Sequence, residues 1–362
     1  MKIGIVTFWK SEDNYGEVLQ ALALYKYLEN KGHRCFIVKY TEEKNTTLLS
    51  KIFTLISLLK NPKAFFNALK KKYTPVVVYQ KEERFFNEFR NKWMRFSKEY
   101  THCELINCPP EADAYVCGSD QIWGGLDPIM YLSFVPQDCK KIAFAPSFGG
   151  LIPNQYTKQK IKKYIEKFDL ISCRENSGVN LCKLLGRKDT LLFPDPTLMH
   201  QSIFYDKFIA DVKYSQPYIF VYLLGNEMSF DTKIIFDFAN KYKLDIVFVT
   251  GQNGIKFKGK TYPATIEEWI SGIKNAEYVI TNSFHGTVFS LLYHKKFMTI
   301  PLSGSFSRMN VRINELLGKH NLLHRIYHGK LDEIIFDIDY SKFDSKHLED
   351  IERVNIILQD VL

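Results

Sequence analysis

Tyr278-Val279-Ile280-Thr281-Asn282-Ser283-Phe284-His285-Gly286-Thr287 passes from a short apolar run into a polar turn; Thr287 to Tyr293 continues as an apolar helix, and a second run spans Phe297 to Ile300. Short apolar runs bounded by turn residues and separated by a helix are what a parallel sheet covered on both faces requires. The alternation repeats upstream. Tyr218 to Leu223 reads as a strand, Asp231 to Lys241 as a helix and Asp245 to Val249 as a strand. Thr265 to Asn275 reads as a helix opened by Thr265 with Glu268 three residues on, a capping box. The second half is therefore expected to be a doubly wound α/β unit.

The first half opens the same way. Ile3 to Phe8 reads as a strand, and Glu17 to Asn30 as a helix with Val18, Ala21, Leu22, Tyr25 and Leu28 at helical spacing. Gly32 is placed to end that helix, and Cys35 to Val38 forms the next strand. Further strands are expected near Ala114 to Cys117, Lys141 to Ala145 and Leu170 to Ser172. Between them a basic helical insertion is expected over about 45–100, ending in a core-facing stripe of Phe85, Phe89, Trp93 and Phe96. Pro194-Asp195-Pro196-Thr197 breaks the chain, so the crossing between halves falls between 190 and 216. The expectation is two Rossmann-like domains, 1–205 and 206–362. A last helix from about Lys346 to Leu362 is expected to cross back onto the first.

Composition sets the class. The 362 residues are 46% apolar and 25% charged, enough for two cores, with no repeat or low-complexity tract. No stretch approaches the ~18 apolar residues of a membrane span. The run from Met1 to Trp9 is cut by Lys10, Glu12 and Asp13 and reads as a first strand, not an export signal. The seven cysteines (Cys35, Cys103, Cys108, Cys117, Cys139, Cys173, Cys182) form no C-x-x-C pair and mostly sit in apolar runs, so reduced core thiols and a cytoplasmic location are expected. His320, His324 and His328 approach metal-ligand spacing, but no Cys or carboxylate lies among them. Solvated surface histidines and no metal are expected.

The net charge of +9 is uneven: residues 41–100 hold thirteen Lys/Arg against six Asp/Glu. Lys51 to Tyr73 carries six lysines and no acid among Ile, Leu and Phe residues. It reads either as a helix packed with its basic face in solvent or as a contact with an anionic membrane surface. No groove-reading motif points to nucleic acid.

Open α/β sheets bind ligands at the carboxyl ends of their strands, which singles out a few places. Asn14-Tyr15-Gly16 precedes a helix whose amino end suits an anion; a tight turn capped by Asn gives the same pattern. Gly118-Ser119-Asp120-Gln121-Ile122-Trp123-Gly124-Gly125 follows an apolar strand and suits a sugar-binding loop with the indole on a ring, or a structural loop around a buried Trp. In Ser283-Phe284-His285-Gly286-Thr287 the histidine stands at a strand end beside a helix start, suited to an anion and to proton transfer. Arg174, in Ser172-Cys173-Arg174-Glu175, offers a planar fork to a carboxylate or phosphate, or to a neighbouring Asp or Glu.

Taken in order, Ile3 to Phe8 with Asn14-Tyr15-Gly16, Gly118 to Trp123, Ser172 to Gly178, Asp195-Pro196-Thr197 and Ile280 to Ser290 resemble the polysaccharide pyruvyl transferase family, over about residues 1–330. The resemblance implies a fold like the GT-B glycosyltransferases, phosphoenolpyruvate as donor and a saccharide acceptor, often lipid-linked. It implies no metal or nucleotide cofactor. It makes His285 an acid or base near the donor and Arg174 a ligand of the donor's charges, with Ser283, Gly286 and Thr287 beside them. Asp120 falls on the acceptor side as base or orienting group, with Asn14, Tyr15, Gly16, Ser119, Gln121 and Trp123. One position departs. Some branches have Arg two residues before the histidine, where this chain has Ser283. Arg308 and Arg312, after the Ser303-Gly304-Ser305 turn, are the candidate replacements, and an exposed basic helix face is their other reading. Two rivals share these features: a nucleotide-sugar GT-B glycosyltransferase, and a non-catalytic saccharide-binding homologue.

Overall fold

The computed structural model describes residues 1–41, 84–211, 216–225, 230–251 and 261–362. Two parallel sheets organise them. The first contains β1 (Lys2–Val6), β2 (Arg34–Tyr40), β3 (Phe96–Tyr100), β4 (Ala114–Cys117), β5 (Lys140–Ala143), β6 (Leu170–Cys173) and β7 (Leu191–Leu192), in the order β3-β2-β1-β4-β5-β6-β7. The second contains β8 (Tyr218–Leu223), β9 (Asp245–Thr250), β10 (Thr261–Tyr262), β11 (Tyr278–Thr281) and β12 (Lys296–Thr299), in the order β10-β9-β8-β11-β12. The central strands are apolar at every position because both faces are covered: β4 and β8 are buried throughout.

In each sheet the winding direction reverses once, at β1/β4 and at β8/β11, and a reversal leaves a crevice at the carboxyl ends of its strands. The first crevice opens onto the loop from Gly118 and onto the helix Tyr15–Asn30, capped by Asn14. The second opens onto Asn282 and the helix Phe284–Leu292. That helix is buried along its whole length, and its hydroxyls bond inside the protein. Thr287 Oγ1 donates to Ser283 O and Ser290 Oγ to Gly286 O. An aromatic core joins the halves here: Tyr15 stacks on Trp269 at 5.5 Å, and Phe289 packs on Trp269 and Tyr205. The last helix, Ser341–Gln359, touches residues of the first half. Asn355 Oδ1 accepts from Tyr27 Oη (2.7 Å), Arg353 donates to Leu192 O (2.8 Å), and His347 Nε2 lies 2.8 Å from Leu198 O.

Several expectations need correcting. The helical insertion does not run to 100: Phe96–Tyr100 is the edge strand β3, paired with β2. The helix before it, Phe86–Trp93, buries Phe86 and Phe89 and leaves Phe85, ahead of its first turn, 54% exposed. The basic stretch Lys51 to Tyr73 lies outside the described residues. His320 is not a surface histidine but is buried against Phe343, while His324 and His328 are exposed. Cys35, Cys117, Cys173 and Cys182 are buried; Cys103 and Cys108 are exposed and Cys139 half-buried. Among the described residues no helix is long and apolar enough to cross a membrane, and no group of His, Cys, Asp or Glu is arranged to hold a metal ion.

Candidate active site

The two crevices meet, and Asp195 stands at their junction. It follows β7 and begins a Pro-containing turn in which Oδ1 accepts from Thr197 N (3.0 Å) and Thr197 Oγ1 (2.7 Å). Its other oxygen, Oδ2, accepts from Ser119 Oγ (2.7 Å) and Arg174 Nη1 (2.8 Å) and lies 3.5 Å from His285 Nε2. Burial alone would raise its pKa; His285, Arg174 and the Thr197 donors overcome that and hold the carboxyl well below the usual range. Asp195 is thus an anion shared between the two halves.

Arg174 follows β6, and its side chain is 2% exposed. Besides its bond to Asp195 it approaches Asp120 at 3.6 Å and Glu175 at 4.0 Å and lies over the Phe284 ring at 4.5 Å. Its Nε and Nη2 have no hydrogen-bond partner. Buried guanidinium donors left open in this way are costly unless something else completes them. Arg312, on the helix Asn310–Lys319, approaches the same Phe284 ring at 5.7 Å and Asp120 at 4.0 Å. With its amide oxygen turned inward, Gln121 accepts from Arg312 Nη1 at 3.3 Å and Nη2 at 3.2 Å. Burial and the neighbouring Arg174 lower the Arg312 pKa to about 10, which leaves it cationic at neutral pH. Asp120 carries the backbone strain of the site, a non-glycine residue at φ 69°.

His285 is buried, and its Nε2 has no hydrogen-bond partner, since 3.5 Å to Asp195 is not a bond. Its Nδ1 faces Gly16 so closely that a Cβ there would lie 2.1 Å away. Gly16 is therefore the surface on which the imidazole rests. Asn282 ties the crevice together: its amide accepts from Leu224 N (2.7 Å) and donates to Leu224 O (2.8 Å), joining the ends of β8 and β11. Gly286 lets the helix close on β11, because a Cβ would lie 2.3 Å from Thr281 Oγ1.

Asp120, Arg174, His285 and Arg312 thus converge, with Gly16 and Gln121 beside them. Other residues singled out from the sequence do different work. Trp123 is fully buried, stacked on Tyr131 at 5.0 Å with Nε1 donating to Met130 O, so its indole offers no face to a sugar. Tyr15 belongs to the core between the halves, its hydroxyl donating to Ala264 O at 2.6 Å. Ser119 is buried and spent on Asp195. Asn14 is the N-cap of its helix, accepting from Glu17 N. Ser283 Oγ caps Gly286 N (3.3 Å) and Thr287 Oγ1 bonds Ser283 O, so the Ser283, Gly286 and Thr287 groups close the turn itself. Arg308 is exposed, packed by its backbone and Cβ against Gly150. Asp195 and Glu175 were missed as site residues. Asp195 obeys the strand-end rule, following β7, but that strand has two residues and leaves no visible period. Glu175 accepts from Ser147 Oγ and Phe148 N, each at 3.0 Å.

A family model described as Polysaccharide pyruvyl transferase matches residues 14–304, most of the chain and, apart from Arg312, the residues of this site. The chain belongs to the polysaccharide pyruvyl transferase family. The family places it among the transferases of polysaccharide biosynthesis. No curated protein matches it. Among solved structures, UDP-GlcNAc 2-epimerase from Methanocaldococcus jannaschii, in complex with UDP-GlcNAc and UDP, is similar at 12% identity and TM-score 0.50, covering 99% of each chain. UDP-GlcNAc 2-epimerase from Neisseria meningitidis, bound to UDP-GlcNAc, matches at 9% identity and TM-score 0.44 over 92% of this chain and 89% of that one. MurG from Acinetobacter baumannii matches at 7% identity and TM-score 0.40 over 88% of this chain and 84% of its own. The pyruvyl transferase fold here is GT-B-like: two parallel α/β sheets around a crevice.

Proposed function

We propose that this chain transfers the pyruvyl group of phosphoenolpyruvate to two hydroxyls of a sugar, forming a ketal. The observation that carries the reading is the set of buried polar groups without partners at the junction of the crevices: the Nε and Nη2 donors of Arg174 and Nε2 of His285. Two guanidiniums beside one imidazole match a donor with a phosphate, a carboxylate and a carbon to be protonated. In this reading Arg174 and Arg312 hold the anionic groups, His285 protonates the methylene carbon, and a first hydroxyl adds to the cationic carbon it creates. Phosphate then leaves and the second hydroxyl closes the ring. Asp120 and Gln121 face the acceptor. The chain supplies the acid, base and anion-binding groups itself, so the reaction as proposed uses no metal or nucleotide cofactor.

The test is turnover of phosphoenolpyruvate with a panel of sugar acceptors in heavy water. The donor brings CH2 and the ketal ends as CH3, so the product should carry one solvent deuterium in its methyl group. Enolpyruvyl transfer would retain the CH2, and glycosyl transfer from a nucleotide sugar would consume no phosphoenolpyruvate; either outcome rejects the reading.

The acceptor we propose is lipid-linked, met at the inner face of the cytoplasmic membrane through the lysines between Lys51 and Tyr73. The protein should float with anionic vesicles and be released by salt. Equal flotation with neutral vesicles removes the electrostatic contact.

A further inference from the structure

Ketal formation moves protons in two cycles. In the addition, the methylene carbon gains a proton and the first hydroxyl loses one. In the closure, the departing phosphate oxygen gains one and the second hydroxyl loses one. His285 is poorly placed to serve both, because one ring nitrogen faces Asp195 and the other rests on Gly16.

The residue after Gly16 is Glu17, on the first turn of the helix Tyr15–Asn30. A structural use lies to hand, since Asn14 and Glu17 have capping-box spacing. The box is not closed. Asn14 accepts from Glu17 N, but the Asn14 N–H goes to Ser11 Oγ at 2.9 Å, so the Glu17 carboxyl is not needed there. The carboxyl instead meets Ser11 and the charges around it: Asp13 from its own loop, Asp120 from the loop after β4 and Arg90 from the helix Phe86–Trp93. Tyr222 of β8 lies near it on the second sheet. Asp13, Asp120, Arg90 and Tyr222 are buried, whereas Glu17 is half-buried and the most open member of this group.

We propose that Glu17 is a second acid–base residue of the transfer, serving phosphate departure and ring closure as His285 serves the addition. This rests on the pyruvyl-transfer reading above. As the bond between the ketal carbon and the phosphate oxygen breaks, its electron pair stays with that oxygen, which takes the Glu17 proton. The second hydroxyl then attacks the carbon and gives its proton to the Glu17 carboxylate, so the residue ends the cycle as it began. The surroundings suit the role. Burial and the Asp120 and Asp13 carboxylates push the Glu17 pKa up to about 8, against the pull of Ser11 and Arg90, so at neutral pH the carboxyl carries the proton it must give.

Glu17→Gln separates the two cycles without changing side-chain size. Incubated with acceptor and phosphoenolpyruvate in heavy water, the variant should still exchange deuterium into recovered phosphoenolpyruvate through a reversible addition. Phosphate release should fall by about 10²-fold or more. His285→Ala should lose both. In the wild type, phosphate release should decline above about pH 8. Thermal melting of Glu17→Gln near the wild-type midpoint shows that folding is not the cause. Phosphate release by Glu17→Gln close to wild type overturns the proposal, as does a folded variant that has lost exchange as well as release. A wild type that makes no ketal from phosphoenolpyruvate rejects the underlying reading instead.

Discussion

Gly16 lacks a Cβ at the one place in its helix where a side chain would enter the His285 ring, 2.1 Å from Nδ1. At an ordinary helix position Gly→Ala is neutral or favourable, by up to about 1 kcal/mol. Gly16→Ala therefore sets local helix preference against the position of the imidazole. The expected outcome is a protein that unfolds close to the wild-type temperature while kcat falls by about 10²-fold, since a displacement of about 1 Å at a reacting group has that effect. Circular-dichroism melting and steady-state turnover check the two halves of the statement. Turnover within a few fold of wild type would show that the ring does not depend on this contact. Ser283 makes the complementary point. Position 283 holds an N-cap bonded to Gly286 and no cation, and the second cation beside Phe284, after Arg174, comes from Arg312, twenty-seven positions after His285 and on another helix.

At the scale of elements, the strands were legible wherever apolar runs met turn residues. Ala114–Cys117, Tyr218–Leu223 and Tyr278–Thr281 have the bounds that their composition announces, and the Thr265/Glu268 capping box opens its helix. The strand-end rule then led to Asp120, Arg174 and His285 without any knowledge of their partners. What a local reading cannot supply is pairing across the chain. Asp195 meets Ser119, Arg174 and His285, which lie 76, 21 and 90 positions away, and nothing in Pro194-Asp195-Pro196-Thr197 distinguishes such a hub from a plain chain break. Trp123 takes the second of its two readings, the structural loop around a buried Trp, and the rings that decide it, Tyr131, Phe148 and Phe168, belong to loops and packing that no periodicity announces. Phe96–Tyr100 alternates too weakly to signal a strand and is one because β2 offers it an edge.

For the whole molecule, buried histidines gather where the last helix returns onto the first half, His347 acting on His200. His200 Nε2 lies 2.9 Å from Ala23 O while its ring stacks on Phe204. His347 stacks on Phe343, and His320 packs edge-on against the same ring. Burial lowers all three, His200 and His320 to about 4. A histidine lowered by folding leaves the unfolded chain with more protons below its ordinary pKa. Its contribution is complete above about pH 6.5 and is lost as pH falls from there towards 4. Glu17, raised by folding, and Glu175, raised mainly by burial, act in the opposite sense over part of this range, so a wild-type pH profile alone mixes the two effects. A variant at one histidine isolates it. In His200→Gln the amide still reaches Ala23 O but does not titrate, so the difference in unfolding free energy between variant and wild type should be constant above pH 6.5. Below that it should move in favour of the variant, by on the order of 2 kcal/mol at pH 5. Asp195, lowered by folding, releases its contribution only in stronger acid, below the ordinary carboxylate range, and does not disturb this window. Denaturant unfolding at pH 7.5, 6 and 5 measures the difference directly. A difference that stays constant through pH 5 would mean that His200 takes up its proton inside the folded protein, and that acid does not destabilise the fold through this residue.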